Sequence, residues 1–359
     1  MIPISKPILG KEEKEAVLKV LESGILTQGP KVAEFEKRFA EYIGVKYAVA
    51  TSSGTTALHL ALLAHGIKNG DEVITSPFTF IASSNAILYC GAKPVFVDIG
   101  EDFNIAPDLI EKKITQKTKA ILVIHLYGYP AKMPKIIRIA KKHNLIVIED
   151  ACQSHGASLN GKKVGSFGTG CFSFYPTKNM TTGEGGMITT NNEKIAEKAQ
   201  LLRNHGMKIR YYHDILGFNF RMTDIAAAIG LEQLKKLEKF NKKRISNANY
   251  FNNNIKTKGI ILPSVAKSYY HVFHQYTIRI SNESSKSREE IIKILSNNGI
   301  GSAIYYPLPV YGQKPYIKLG YKNRFSVTEK YTKEVLSIPV HPSLTQRDLK
   351  KIVSVLNNL

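Results

Sequence analysis

The stretch Leu145-Ile-Val-Ile-Glu-Asp-Ala-Cys-Gln153 is followed, at Cys171-Phe-Ser-Phe-Tyr-Pro-Thr-Lys-Asn-Met180, by a segment with a lysine near its end. Leu145 to Glu149 is an apolar run of strand length, so Asp150 is expected to emerge at the carboxyl end of a buried strand, where open α/β sheets bind their ligands. Pyridoxal phosphate is an electron sink whose ring nitrogen must stay protonated, and a buried carboxylate against that nitrogen keeps it so. Asp150 fits that position. The cofactor aldehyde is held as a Schiff base by an amine that later acts as a base at the substrate carbon, and Lys178 fits that one. Between them, Gln153 is placed to donate to the phenolic oxygen of the ring, and Ser173 to bond the phosphate. Taken singly, Asp150 reads as a helix cap and Lys178 as a solvated loop residue; together they point to cofactor chemistry.

Upstream, strand-like Tyr47-Ala-Val-Ala-Thr51 runs into Ser52-Ser-Gly-Thr-Thr56 and then into the helical pattern Ala57-Leu-His-Leu-Ala-Leu-Leu63. A turn of small residues that opens a helix presents free N–H groups at its positive end. Gly54, Thr55 and Thr56 are therefore the candidate phosphate cradle, although an ordinary capped helix start has the same residue types.

Working outward, seven β-rich apolar segments alternate with helical patterns: Tyr47–Thr51, Glu72–Ser76, Pro94–Asp98, Ala120–His125, Leu145–Glu149, Cys171–Tyr175 and Gly186–Thr190. Such alternation predicts a mainly parallel sheet covered by helices on both faces. Val32, Phe35, Phe39 and Ile43 recur at helical spacing ahead of it, with Gly44 as the stop. A long helical pattern from Thr223 leads into a carboxyl-terminal region, where a strand is expected at Tyr276–Ile280 and helices near Ser287–Asn297 and Thr345–Leu356. The 359 residues, 43% of them hydrophobic, suit one large and one small domain, divided as residues 1–240 and 241–359.

The formal charge of +21 attracts anions in general. The lysines are dispersed as pairs on apparent helices, such as Lys112-Lys113 and Lys235-Lys236, which marks solvated faces; no specific nucleic-acid binding is expected. Cys90, Cys152 and Cys171 are unclustered and lack metal-ligand spacing, as reduced core thiols of a cytoplasmic protein would be. No leader and no membrane-spanning run are expected. Tyr269-Tyr270 and Tyr305-Tyr306 suit either a core or a sugar- or base-packing surface.

At Ser23-Gly-Ile-Leu-Thr-Gln-Gly-Pro30, Phe78-Thr-Phe80, His125-Leu-Tyr-Gly128, Glu149-Asp-Ala-Cys-Gln153 and Gly217-Phe-Asn-Phe-Arg-Met-Thr-Asp224 the sequence resembles the DegT/DnrJ/EryC1/StrS family of sugar aminotransferases, and the likeness runs nearly end to end. The resemblance implies the aspartate-aminotransferase-like fold (pyridoxal-phosphate fold type I), an α/β architecture with a seven-stranded sheet and a smaller carboxyl-terminal α/β domain. It implies Lys178 as the cofactor's amine, Asp150 on the pyridine nitrogen, Gln153 on the phenolic oxygen, Ser173, Gly54 and Thr55 at the phosphate, and Phe80 stacked on the ring. Asn219 would reach the phosphate in the neighbouring subunit of a homodimer, although some relatives carry an asparagine where this chain has Arg221. Departures are Cys152, where relatives usually have alanine, Ile25, where many have an aromatic residue, and Tyr305, where histidine is frequent.

The implied function is transfer of an amino group from glutamate or glutamine to a nucleotide-linked keto-6-deoxy sugar for surface polysaccharide or glycoconjugate synthesis. Thr181-Thr-Gly-Glu-Gly-Gly186 looks more like enzymes that aminate carbon 4 than carbon 3. A cyclitol or other keto substrate, or a regulatory protein that keeps the fold without turnover, are the alternatives.

Overall fold

The computed structural model describes all 359 residues. The seven expected segments form one sheet, in the spatial order Tyr47–Thr51, Gly186–Thr190, Thr169–Ser173, Ile146–Asp150, Thr118–Ile124, Glu72–Thr75 and Lys93–Phe96. Four neighbouring pairs are parallel, and Gly186–Thr190 runs antiparallel to both of its neighbours. The mainly parallel sheet read from the sequence is therefore the fold, with strand ends displaced by a residue or two. Asp150 is itself the last strand residue, pairing with Ile124 and Cys171, because the ladder runs on to Ala151, whose N–H donates to the Cys171 carbonyl at 2.9 Å.

Burial on both faces explains why these strands read as continuous apolar runs. Leu122 and Ile124 point into a core shared with the helix Gly54–Ala64, while Ile121 and Val123 point into another beneath the helix Met133–Lys142. Val32, Phe35, Phe39 and Ile43 are buried along the helix Pro30–Ile43, which stops at Gly44 with φ 85°. That helix is anchored from far along the chain: the Asp224 carboxylate accepts the N–H groups of Gly29, Lys31 and Val32 at 2.8–3.1 Å, an acid at a helix amino terminus.

Glu149 is fully buried yet saturated. It accepts N–H groups of Gly165, Phe167 and Gly168 at 2.7–2.8 Å and lies 3.0 Å from His125 Nε2. Because His125 Nδ1 accepts from the Ala131 N–H, its proton sits on Nε2 and is donated to Glu149. This network anchors the Gly165–Gly168 loop beneath the strand end that carries Asp150.

The helix Asp224–Asn254 carries position 240 in its interior; Leu231 and Leu237 belong to one core, Ala248 and Phe251 to another. The latter core contains an antiparallel sheet of Ile260–Ile261, Tyr276–Ile280 and Val335–Ile338, the helices Arg288–Asn297 and Gln346–Asn357, and Ile2 from the other end of the chain. Ser287 and Thr345, the expected helix starts, are amino-terminal caps. The Val335–Ile338 strand was not read from the sequence.

Candidate active site

The carboxyl ends of the central strands open into a cavity of about 490 Å³. Its wall contains Asp150, Lys178, Gln153, Ser173, Gly54, Thr55 and Phe80, seven of the eight site residues expected from the sequence, although they lie on four separate stretches of chain. Asn219 is absent from this wall; it is exposed, and its backbone bridges Asn204. Arg221 turns to its own chain and donates to the Asn204 side-chain oxygen at 2.7 Å.

Asp150 Oδ2 accepts from Ser83 Oγ at 2.6 Å, and Oδ1 from the Cys152 N–H at 3.2 Å. Two donors hold the carboxylate in one orientation at the cavity wall. Ser83, on the helix Ala82–Tyr89, was not singled out in the sequence; only the nearby Phe78-Thr-Phe80 motif hinted at this segment. Lys178 lies in the loop after the Thr169–Ser173 strand, and desolvation pushes its pKa below the ordinary lysine value, against the opposing pull of Cys152 and Asp150. Burial also pushes the Cys152 thiol well above its ordinary pKa, so it stays protonated at neutral pH and its pull vanishes there. The net effect is an amine more readily neutral than a surface lysine.

The helix Gly54–Ala64 starts flush against the strand that carries Ser173. A Cβ on Gly54 would lie 2.6 Å from Ser173 Cβ, so only glycine permits this approach. Ser53 caps the helix by accepting the Thr56 N–H at 3.2 Å, and Thr56 Oγ1 accepts the Ser53 N–H at 3.0 Å. Thr56 is thereby engaged in the cap rather than the wall, leaving Gly54 and Thr55, as first-turn residues, with N–H groups free for an anion. Gly186 is needed for the same junction: a Cβ there would sit 2.2 Å from the Ser53 carbonyl oxygen.

Gln153 is fixed at both ends. Its Oε1 accepts the Tyr127 N–H at 2.9 Å, and Nε2 donates to Tyr306 Oη at 3.1 Å, leaving one amide N–H for a ligand. Phe80 is 56% exposed, an unusual state for a phenylalanine, and presents its ring to the cavity 6.3 Å from that of Tyr306. These features fit pyridoxal phosphate: an acid at one end, an amine, a planar aromatic surface, an amide donor and a helix amino terminus beside a serine hydroxyl.

Of the departures from the family pattern, Cys152 and Tyr305 lie in the wall, whereas Ile25 is exposed outside it. Cys152 is thus not the plain core thiol expected, unlike buried Cys90 and Cys171. Tyr305 and Tyr306 face the cavity; Tyr269 instead stacks on Tyr129 at 4.7 Å. Glu184, His274 and Gln275 are also polar members of the wall. No helix is long and apolar enough to cross a membrane.

Residues 7–357 match the profile of the DegT/DnrJ/EryC1/StrS aminotransferase family. The chain is 42% identical over 366 residues to a GDP-perosamine synthase of Caulobacter vibrioides, covering 100% of this chain and 98% of that protein. It is 41% identical over 343 residues to a UDP-N-acetyl-3-dehydro-alpha-D-glucosamine 3-aminotransferase of Acidithiobacillus ferrooxidans, covering 94% and 91%. Among solved structures, NtdA of Bacillus subtilis with bound cofactor PMP superposes with a TM-score of 0.88 at 36% identity, covering 98% of this chain and 82% of that one. Sequence match, fold and cavity agree: the chain belongs to the DegT/DnrJ/EryC1/StrS aminotransferase family and is a pyridoxal-phosphate-dependent sugar aminotransferase of fold type I.

Proposed function

We propose that this enzyme moves an amino group from glutamate or glutamine to carbon 4 of a nucleotide-linked keto-6-deoxy sugar, as a homodimer, for surface polysaccharide or glycoconjugate synthesis. The observation that carries the reading is the convergence of Asp150, Lys178 and the Gly54–Ser173 junction on one cavity. The bound cofactor supplies an electron sink for the carbon that gains or loses a proton. Asp150, oriented by Ser83, keeps the ring nitrogen protonated. Lys178 takes the proton from the donor's α-carbon and returns one to the sugar carbon, which requires its amine to be neutral; desolvation serves that end. Gln153 holds the phenolic oxygen, Phe80 covers the ring, and Gly54, Thr55 and Ser173 hold the phosphate. Both half-reactions then share one site.

Support for carbon 4 comes from Thr181–Gly186, whose Glu184 stands in the cavity wall. The Acidithiobacillus relative, named for amination at carbon 3, marks the competing outcome. A panel of keto-sugar nucleotides incubated with glutamate, with the product read by mass and NMR, is expected to show an amine at carbon 4. An amine at carbon 3 would overturn the position, and amination of cyclitol ketones alone would overturn the substrate class.

The homodimer is supported by two features. Lys178 is the sole lysine or arginine in the cavity wall, so a sugar diphosphate needs cations from elsewhere. The segment before Asn219 exposes Ile209, Tyr211, Tyr212 and Leu216 at 66–89%, an apolar surface suited to a second copy. Asn219→Ala is expected to weaken cofactor binding by about tenfold, the worth of one hydrogen bond to a charged group. Mixed with Lys178→Ala after verified subunit exchange, it should exceed the activity of either parent. A verified mixed dimer without such a gain would assign Asn219 to its own subunit.

A further inference from the structure

A second, much smaller cavity also touches Lys178. Its volume is about 10 Å³, and its wall includes Lys6, Lys178, Asn179, Thr181, Gln233 and Arg244 but no carboxylate. A space of that size has room for one atom-sized guest.

Arg244, on the helix Asp224–Asn254, is the unusual member. It is 4% exposed, has no carboxylate partner, and uses only Nη1, which donates to the carbonyls of Phe273 and His274 at 3.2 Å. Its Nε has no partner at all. Burial lowers its pKa to about 10, which still leaves it cationic at neutral pH. A guanidinium removed from water without an anion is among the costlier arrangements a fold can contain.

Nothing in the surrounding chain supplies the missing negative charge. Glu13 is engaged by Lys236, Gln233 and the Gly10 N–H, and Asp348 caps the helix at Thr345. Thr181 Oγ1 donates to the Phe174 carbonyl, and Gln233 Nε2 to the Ile8 carbonyl and Glu13. The positive field also reaches His341, whose proton affinity is depressed by burial and further by Arg244 and Lys6.

We infer that this cavity is a binding site for one monatomic anion, chloride under ordinary conditions, held by Arg244 and Lys6 with Lys178 at its edge. A water molecule would satisfy a donor but leave the buried charge uncompensated. The chain's 50 basic against 29 acidic residues raise the local anion concentration and favour occupancy. Asn179 Oδ1, buried and unpartnered in the same wall, is the one feature that favours water, so the test must separate the two guests.

Crystals of the full-length protein soaked in sodium bromide should show an anomalous peak in contact with Arg244. Thermal unfolding in sodium chloride or bromide should lie about 3 °C above that in sodium gluconate of equal ionic strength, once halide exceeds its Kd roughly tenfold. Arg244→Gln should erase that difference. If the variant does not fold, the two wild-type measurements decide. A cavity holding water at the same bromide concentration, or equal unfolding temperatures in halide and gluconate, would overturn the inference. Neither readout uses amino transfer, so failure here is distinguishable from failure of the proposed reaction.

Discussion

Lys178→Ala is expected to lower amino transfer by about 10⁴-fold or more, because in the proposed reaction one side chain both holds the cofactor and moves the proton. The desolvation that depresses the lysine's pKa gives this expectation its sign. A group whose neutral form is favoured supplies a larger fraction of free amine at a given pH than a solvated lysine does, and alanine supplies none. The wild-type enzyme treated with borohydride in the presence of pyridoxal phosphate should carry the reduced cofactor on the peptide containing Lys178, and the variant should carry none. An adduct that persists in the variant at another lysine would remove Lys178 from its assigned role. Near-normal turnover would do the same.

Asp150→Asn is the second large effect, a loss of about 10²-fold or more in kcat/KM. The change keeps the shape of the side chain and removes its charge, so under the proposed assignment the ring nitrogen loses the group that keeps it protonated. It also disturbs the support beneath: Ser83 Oγ and the Cys152 N–H both donate to the carboxylate, and an amide can accept both only through its single oxygen. To separate charge from geometry, Ser83→Ala serves as the comparison, since it leaves the charge and removes one positioning bond. Kinetics with a saturating donor are the measurement. Activity of Asp150→Asn within a factor of about three of wild type would mean that Asp150 does not face the pyridine nitrogen.

What could be read along the chain was whatever short-range pattern encodes. Apolar runs of strand length, the helical spacing of Val32, Phe35, Phe39 and Ile43, and the stop at Gly44 all depend on residues near one another, and each formed where expected, the strands to within a residue or two at their ends. Asp150 was legible because the end of a buried run marks the end of a strand, and Lys178 because only a few residues separate it from the next one.

The place of a strand within the sheet is not written in its own pattern, and the rest of the site depends on that place. Gly186–Thr190 inserts between Tyr47–Thr51 and Thr169–Ser173 and runs against both, which brings Ser53 and Gly54 onto Gly186 and Ser173. Without that order the helix start and the serine would not share a junction. Ser83 reaches Asp150 across 67 positions and Tyr306 reaches Gln153 across 153, and a lone serine or tyrosine carries no local mark of such a partner. Arg244 is the extreme case. In sequence it ends the run Lys242-Lys-Arg244 on a long helix, a setting in which basic residues are commonly solvated, whereas packing of that helix against the segment containing Phe273 and His274 buries its charge without an acid. Periodicity and residue chemistry by themselves determined the class of fold and singled out Asp150 and Lys178, which share one cavity wall; which polar atoms are desolvated together was decided only when distant elements closed over them, because burial belongs to the assembled packing and not to any one segment.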